Sequence, residues 1–419
     1  MIKPKKFQRY KSSISFVSFA FLMAFCLASF ISIFYYKTAP RGLTILLLIS
    51  ALLFFPRLQE VLNLKSPFSI KKPIFWIGIF VFITSINLML QKVQGYDLVG
   101  LDGQSSYSAS LEIFMLGIIW FFCGASIQYI EFNKSNIWSG VVVVFVSLLI
   151  YSSLGSGLVV SYANLNAESI GEIKINHLTA GDNIVILLLI GYAFASQRMK
   201  LFIAPVIILL LFSLGGRNAL LTLTFAIFIF HIFRREFSNV FSILAPVVTA
   251  VIVIGIFFKS NEFNDDLVSR MLFSDGISYD ASFVQRNQQV YESIANLPSQ
   301  APIGNASLIV SQLGIFGEYS HNIISVWQIF GFAPFLVLLF IILSATRYVF
   351  INLKKITHPL DEFAAIIFIY SVSCIFISRA INFPCLWLAI GYWLTRAARR
   401  PFFTTRDMLV LKFVQTRSL

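Results

Sequence analysis

Charge is scarce in this chain. Asp, Glu, Lys and Arg make up 12% of its 419 residues, where a soluble domain carries about 25%, and the deficit argues against a water-soluble fold. Cysteine is scarce too. Cys26, Cys123, Cys374 and Cys385 all fall within apolar stretches and lack metal-ligand spacing, so neither a disulfide framework nor a thiolate metal centre is expected. No carboxylates stand at a convincing metal-site spacing, and Asp265-Asp266 reads as a solvated turn. A repeat of fixed period, a low-complexity linker and a soluble domain are all lacking. Residues 1–419 therefore read as one transmembrane domain.

Apolar side chains are abundant. They make up 58% of the sequence, 45 of them Phe, with a mean hydropathy of +0.81. A membrane span needs roughly 20 apolar residues. Runs of about that length or somewhat shorter occupy 14–36, 41–56, 73–91, 109–131, 137–157, 183–197, 201–214, 218–234, 240–258, 321–345, 361–380 and 383–395. The expected fold is an all-α, polytopic membrane helix bundle of about 12 transmembrane helices. The first run follows a basic N-terminus but exceeds the apolar core of a signal peptide, and it reads as an uncleaved span.

The basic residues orient this bundle, because Lys and Arg accumulate in cytoplasmic loops. With the N-terminus inside, 23 of the 32 Lys and Arg fall on the inner side and 9 on the outer, while 13 of the 19 acids fall outside. The formal charge of +13 is then a topology signal facing anionic inner-leaflet lipid, and no nucleic-acid partner is expected. On this topology the polar-leaning segment 259–320 is a large periplasmic loop before the tenth span. It is the only extramembrane segment long enough to fold over the bundle.

Three outward residues could carry chemistry. Ser320 can cap the helix that follows it, which would place His321 in the first turn. There the helix dipole disfavours imidazolium, and a neutral imidazole is what a general base requires; Glu318 pulls the other way. Arg286 lies in Ser282-Phe283-Val284-Gln285-Arg286, where Ser282 and Gln285 have capping-box spacing and Pro298 is expected to stop the helix. Phe283, Val290, Ile294 and Leu297 share one apolar face, with Arg286 at its edge. Arg217 follows Gly215-Gly216, which permits a tight turn and close approach of a ligand. Plainer roles exist for each: an interfacial anchor or solvated cap for a histidine, a snorkelling side chain for an arginine. Together, a base and two guanidinium forks suit transfer from an anionic leaving group.

These stretches also resemble, in order, elements of the O-antigen polymerase and ligase family. Leu214-Gly215-Gly216-Arg217-Asn218-Ala219 is similar to its Ser-Arg-Gly-Ala-type element, with Gly in place of Ser before the arginine and Asn in place of Gly after it. Arg286 to Tyr291, then Pro302-Ile303-Gly304, resembles its Arg-x-x-x-aromatic, Pro-x-x-Gly segment, with the aromatic one position late. His321-Asn322 with Gly331 downstream resembles its His-Asn-x8-9-Gly element. The resemblance implies a bacterial inner-membrane glycosyltransferase acting on undecaprenyl-pyrophosphate-linked oligosaccharide at the periplasmic face, without metal, cofactor or nucleotide sugar. It implies His321 as general base and Arg217 and Arg286 as pyrophosphate ligands, with Asn322, Gly215, Gly216 and Tyr291 in support. Membrane lipid and a chain-length regulator protein are the further partners it implies. Polymerase is preferred over ligase because the outer face is acidic and lacks a basic platform for lipid A-core. A polytopic transporter or flippase of lipid-linked sugars is the rival from another class.

Overall fold

An apolar segment in lipid has to satisfy its own backbone groups, which favours helices over loops and open strands. The computed structural model of the protein describes residues 73–127 (apart from 102 and 104), 177–213, 217–241 with 244, 281–300, 302–313 and 320–399. The described residues are mostly helical, with no named strand among them. The helices are α1 Pro73–Val93, α2 Ser106–Ile127, α3 His177–Phe194, α4 Gln197–Ser213, α5 Arg217–Arg234, α6 Ala281–Gln300, α7 Ala306–Leu313, α8 Ile324–Phe330, α9 Phe332–Asn352, α10 Pro359–Ile377 and α11 Pro384–Arg399. Among the described residues, four are long and apolar enough to cross a membrane: Phe75–Val93, Ser106–Ala125, Phe332–Lys355 and Pro359–Ile377. The expected spans at 14–36, 41–56 and 137–157, and nearly all of 240–258, lie outside the described residues.

Helix α10 is the axis of the described bundle. Its apolar window is 78% buried, against 33% for α1 and α9, and it packs on α3, α5 and α11. Helix α11 in turn packs closely along α2. That approach requires glycine: a Cβ on Gly124 would meet the Leu388 carbonyl oxygen, and one on Gly391 the Phe121 carbonyl, both well inside van der Waals contact. Small residues at such crossings let backbones meet in lipid. Cys123, Cys374 and Cys385 are buried free thiols, in keeping with their apolar settings.

The two ends of α10 meet different chemistry. At its start, Asp361 accepts from Arg396 (2.9 Å) and from the Tyr392 hydroxyl (2.5 Å), and Glu362 pairs with the buried Lys200 of α4. Nearby, His231 is fully buried, 2.5 Å from the Tyr192 hydroxyl through Nε2 and 2.7 Å from Glu236 through Nδ1. His231 is thus a packed core group, and neither of the plainer roles fits it. His358 does match the solvated cap: it is exposed, and its Nδ1 accepts the Leu360 N–H at 3.2 Å. Burial alone would raise the Glu236 carboxyl, but its bond to His231 and the charge of Arg234 hold it down, at about 2 against an ordinary 4.5.

The apolar run 321–345 is not one helix. It is broken at Gly331 into α8 and α9. Gly331 has φ +98° and Gly304 φ +80°, a region open to glycine and costly to other residues. The two glycines meet face to face, and a Cβ on Gly304 would lie 2.6 Å from the Gly331 nitrogen. The break frees carbonyls that would be expensive to leave unpaired in an apolar setting. Asn87 Nδ2 donates to Phe330 O at 2.7 Å, Gln91 Nε2 donates to Ile303 O and Ile329 O at 2.7 and 2.8 Å, and the Asn305 N–H donates to Gln328 O at 2.8 Å.

Candidate functional site

The amides that hold this break also build a corner around the histidine. Asn322 Oδ1 accepts the Ser320 hydroxyl at 2.8 Å and the Ile324 N–H at 2.9 Å. Asn322, rather than Ser320, therefore bonds the first helical N–H, from one residue ahead of the N-cap Ile323, and His321 stands ahead of α8 in a bend instead of in its first turn. The reason is reach: an asparagine two residues before the first helical N–H closes an Asx turn on it, while Ser320 is drawn into other bonds. Its N–H donates to Gln328 Oε1 at 3.0 Å. His321 is half-buried, between the buried Ser320 and Asn322. The dipole argument for a neutral imidazole, which required a place inside the helix, loses its structural basis.

Gln328 links this corner to α6. Its Nε2 donates to Ser293 Oγ at 2.9 Å, and Gln289 and Ser293 are the buried residues among the described side chains of α6. The sequence pattern pointed to the apolar face Phe283, Val290, Ile294 and Leu297. In the fold Ile294 is exposed and Val290 and Leu297 are half-buried, while the side chain of Phe283 lies outside the described residues. A polar stripe wins because α8 buries Gln328, and a buried amide has to find partners. The ends of α6 also differ from expectation. It begins at Ala281, so Ser282 is already helical, and it runs past Pro298 to Gln300. A proline in the last turn deprives only the Ile294 carbonyl of its donor, and that residue faces solvent.

The candidate residues are placed as follows. Arg286 lies on α6 two turns before Ser293, about 10 Å along the axis, on the stripe that includes Gln289; its side chain lies outside the described residues. Tyr291 is 77% exposed, away from that stripe, and is not brought to the His321 corner. Arg217 is the first residue of α5, its side chain again outside the described residues, as are Gly215 and Gly216. His177 opens α3. Pro302, Ile303 and Gly304 form the turn that locks against Gly331, so two of the motif segments meet through backbone.

A third element joins this end of the bundle without having been singled out in the sequence. Ser325 Oγ donates to Asn322 O at 2.7 Å and accepts the Ile381 N–H at 3.0 Å. This ties the turn after α10, residues Ser378 to Phe383, to the His321-Asn322 corner. Only one signal could have pointed there: Arg379 is an outward-assigned base at the end of an apolar run. Asn87, Gln91 and Gln328 gave none, because a lone amide inside an apolar stretch has no periodic signature. No family model matches the chain, and no curated protein matches it.

Proposed function

We propose that the protein is a polysaccharide polymerase of the bacterial inner membrane, a multi-pass bundle of about twelve helices whose segment 259–320 faces the periplasm. An acceptor sugar hydroxyl attacks the anomeric carbon of a glycan carried on undecaprenyl pyrophosphate. The new glycosidic C–O bond forms, the C–O bond to pyrophosphate breaks, and the carrier pyrophosphate leaves. His321 takes the hydroxyl proton, and Arg217 and Arg286 hold the pyrophosphate oxygens. The observation that carries the reading is the His321-Asn322 corner, tied by Ser320, Gln328 and Ser293 to the helix bearing Arg286. A base held by bonded neighbours on rigid elements is what proton abstraction demands.

A positioned base contributes about 10²- to 10⁴-fold. With purified protein and lipid-linked repeat units, His321→Ala is expected to lower polymer formation by that factor while His177→Ala leaves it intact. Normal polymer from His321→Gln at matched membrane levels would end the general-base role. One observation favours a second reading. The break at Gly331, with its carbonyls held by Asn87 and Gln91, is the kind of discontinuous helix found in transporters. Deletion of the gene separates the readings. Single repeat units on lipid A-core mean polymerase, glycan left on the carrier means ligase, and loss of external glycan means flippase.

A further inference from the structure

Beside the start of α10 lies a chain of three side chains that the proposed chemistry does not use. Tyr192 near the end of α3, His231 in the last turn of α5 and Glu236 just beyond that helix follow one another through single hydrogen bonds. Tyr192 is 1% exposed and His231 is fully buried, while the Glu236 side chain is 24% exposed. The chain therefore runs from the core to the surface, at the end of the bundle that the charge topology assigns to the cytoplasm.

The geometry decides which ring nitrogen carries hydrogen. Glu236 Oε2 stands 2.7 Å from His231 Nδ1. An ionised carboxylate only accepts, so the hydrogen is on Nδ1. Glu236 is held at about 2 and stays a carboxylate where an imidazole ordinarily titrates. The Asn239 amide, 3.2 Å from both Nδ1 and Glu236 Oε2, then donates to the carboxylate. In a neutral ring Nε2 is left as an acceptor, and the Tyr192 hydroxyl donates to it at 2.5 Å. Nε2 is the one hydrogen-bond partner of that hydroxyl among the described residues.

Protonation changes a single link. Nδ1 donates to Glu236 in either form, but an imidazolium carries N–H on Nε2 as well, and two donors then meet. The tyrosine hydroxyl loses its acceptor, which is costly for a buried group. Among the described residues, the other charges around the ring are paired or exposed. Arg234 donates to Glu236 at 2.8 Å and to Ile356 O at 3.0 Å. Lys200 of α4, 5.5 Å from the centre of the Tyr192 ring, pairs with Glu362 of α10, and Asp361 pairs with Arg396 of α11. Arg198, Arg235, Lys354 and Lys355 are exposed.

We propose that Tyr192, His231 and Glu236 form a proton-operated latch between α3 and α5. Neutral His231 ties the two helices together, and protonated His231 releases Tyr192. The latch stands apart from the proposed transfer chemistry and does not rest on it.

The test uses full-length protein in detergent, isotopically labelled in its histidine nitrogens and followed by NMR across pH. The chain has four histidines, and the ring whose resonances shift most in Tyr192→Phe is His231. Hydrogen on its Nδ1 at neutral pH is expected, and hydrogen on Nε2 overturns the latch. As the pH is lowered through protonation of that ring, backbone hydrogen exchange is followed in 190–194 and 231–235, corrected for its intrinsic pH dependence. It is expected to rise about tenfold, the worth of one buried hydrogen bond. In Tyr192→Phe, exchange should already be raised at neutral pH and show no further step. The proposal is overturned by wild-type exchange that ignores protonation of the ring, by an equal step in Tyr192→Phe, or by a ring that stays neutral until the protein unfolds.

Discussion

At the start of α10, Asp361 and Glu362 each meet a cation, and His231, Glu236 and Arg234 close a second cluster beside them. At the other end of the same helix, apart from the exposed Lys92 paired with Asp97, the broken backbone is held by neutral groups: Asn87, Gln91, Ser293, Asn322, Ser325 and Gln328. The first end compensates charge with charge, which fixes helices but leaves those charges committed to one another. The second holds broken backbone in place with amides and hydroxyls. Neutral networks can rigidify broken backbone without burying charge. On the charge topology, this amide-rich end is the one assigned outside, where the proposed chemistry belongs.

The difference can be broken most severely at the paired end. Lys200→Met should leave Glu362 buried without its cation and cost about 3–5 kcal/mol, read as a fall in thermal unfolding temperature in detergent. A second change, Glu362→Leu, should restore most of it, because an apolar pair has no charge to strand. If Lys200→Met alone unfolds like wild type, that end is not held by charge.

Next in size is the interlock at the amide end. Gly331→Ala should cost about 3 kcal/mol, combining left-handed strain with the displacement of the Pro302 carbonyl. Gln91→Leu leaves two carbonyls without their donor, and about 1–3 kcal/mol is expected for such a loss. Hydrogen exchange in the backbone of 302–305 and 329–331 should rise in Gln91→Leu and stay unchanged in Lys200→Met. The two ends would then be shown to be separable.

The smallest effect is a pH dependence. Glu236 titrates near 2 when folded and near 4.5 otherwise, so its folded pKa is depressed. Its contribution is present above about pH 4.5 and is lost as pH falls from there towards 2. Unfolding temperatures measured across that window should fall less steeply in Glu236→Gln than in wild type. An identical slope in both would mean that His231 and Arg234 do not hold that carboxylate.

How much of this was legible beforehand varies with the kind of information needed. Hydropathy located α1, α2, α4, α5 and α10 within a few residues, because a membrane-length apolar run has few alternatives to a helix. His321, Asn322, Gly331 and Pro302-Ile303-Gly304 were marked as motif residues, and the fold does bring them into one region. The face of α6 was misjudged, since periodicity counts apolar residues and does not weigh the need of Gln328 for Ser293. The cap was assigned to Ser320, although the Asn322 oxygen is two residues from the first helical N–H it serves.

What the amino-acid sequence determined by itself was local: helix over most of the apolar runs that the structure describes, and a composition suited to a membrane. Only the tertiary structure decided where the helix after His321 breaks, because the groups that donate to its freed carbonyls are Asn87 and Gln91, more than 200 positions away along the chain. It alone decided that His231 is buried and that the turn bearing Arg379 is tied through Ile381 to Ser325, beside the corner containing His321. These outcomes depend on partners brought together by packing, and no pattern within a window of 20 residues contains them.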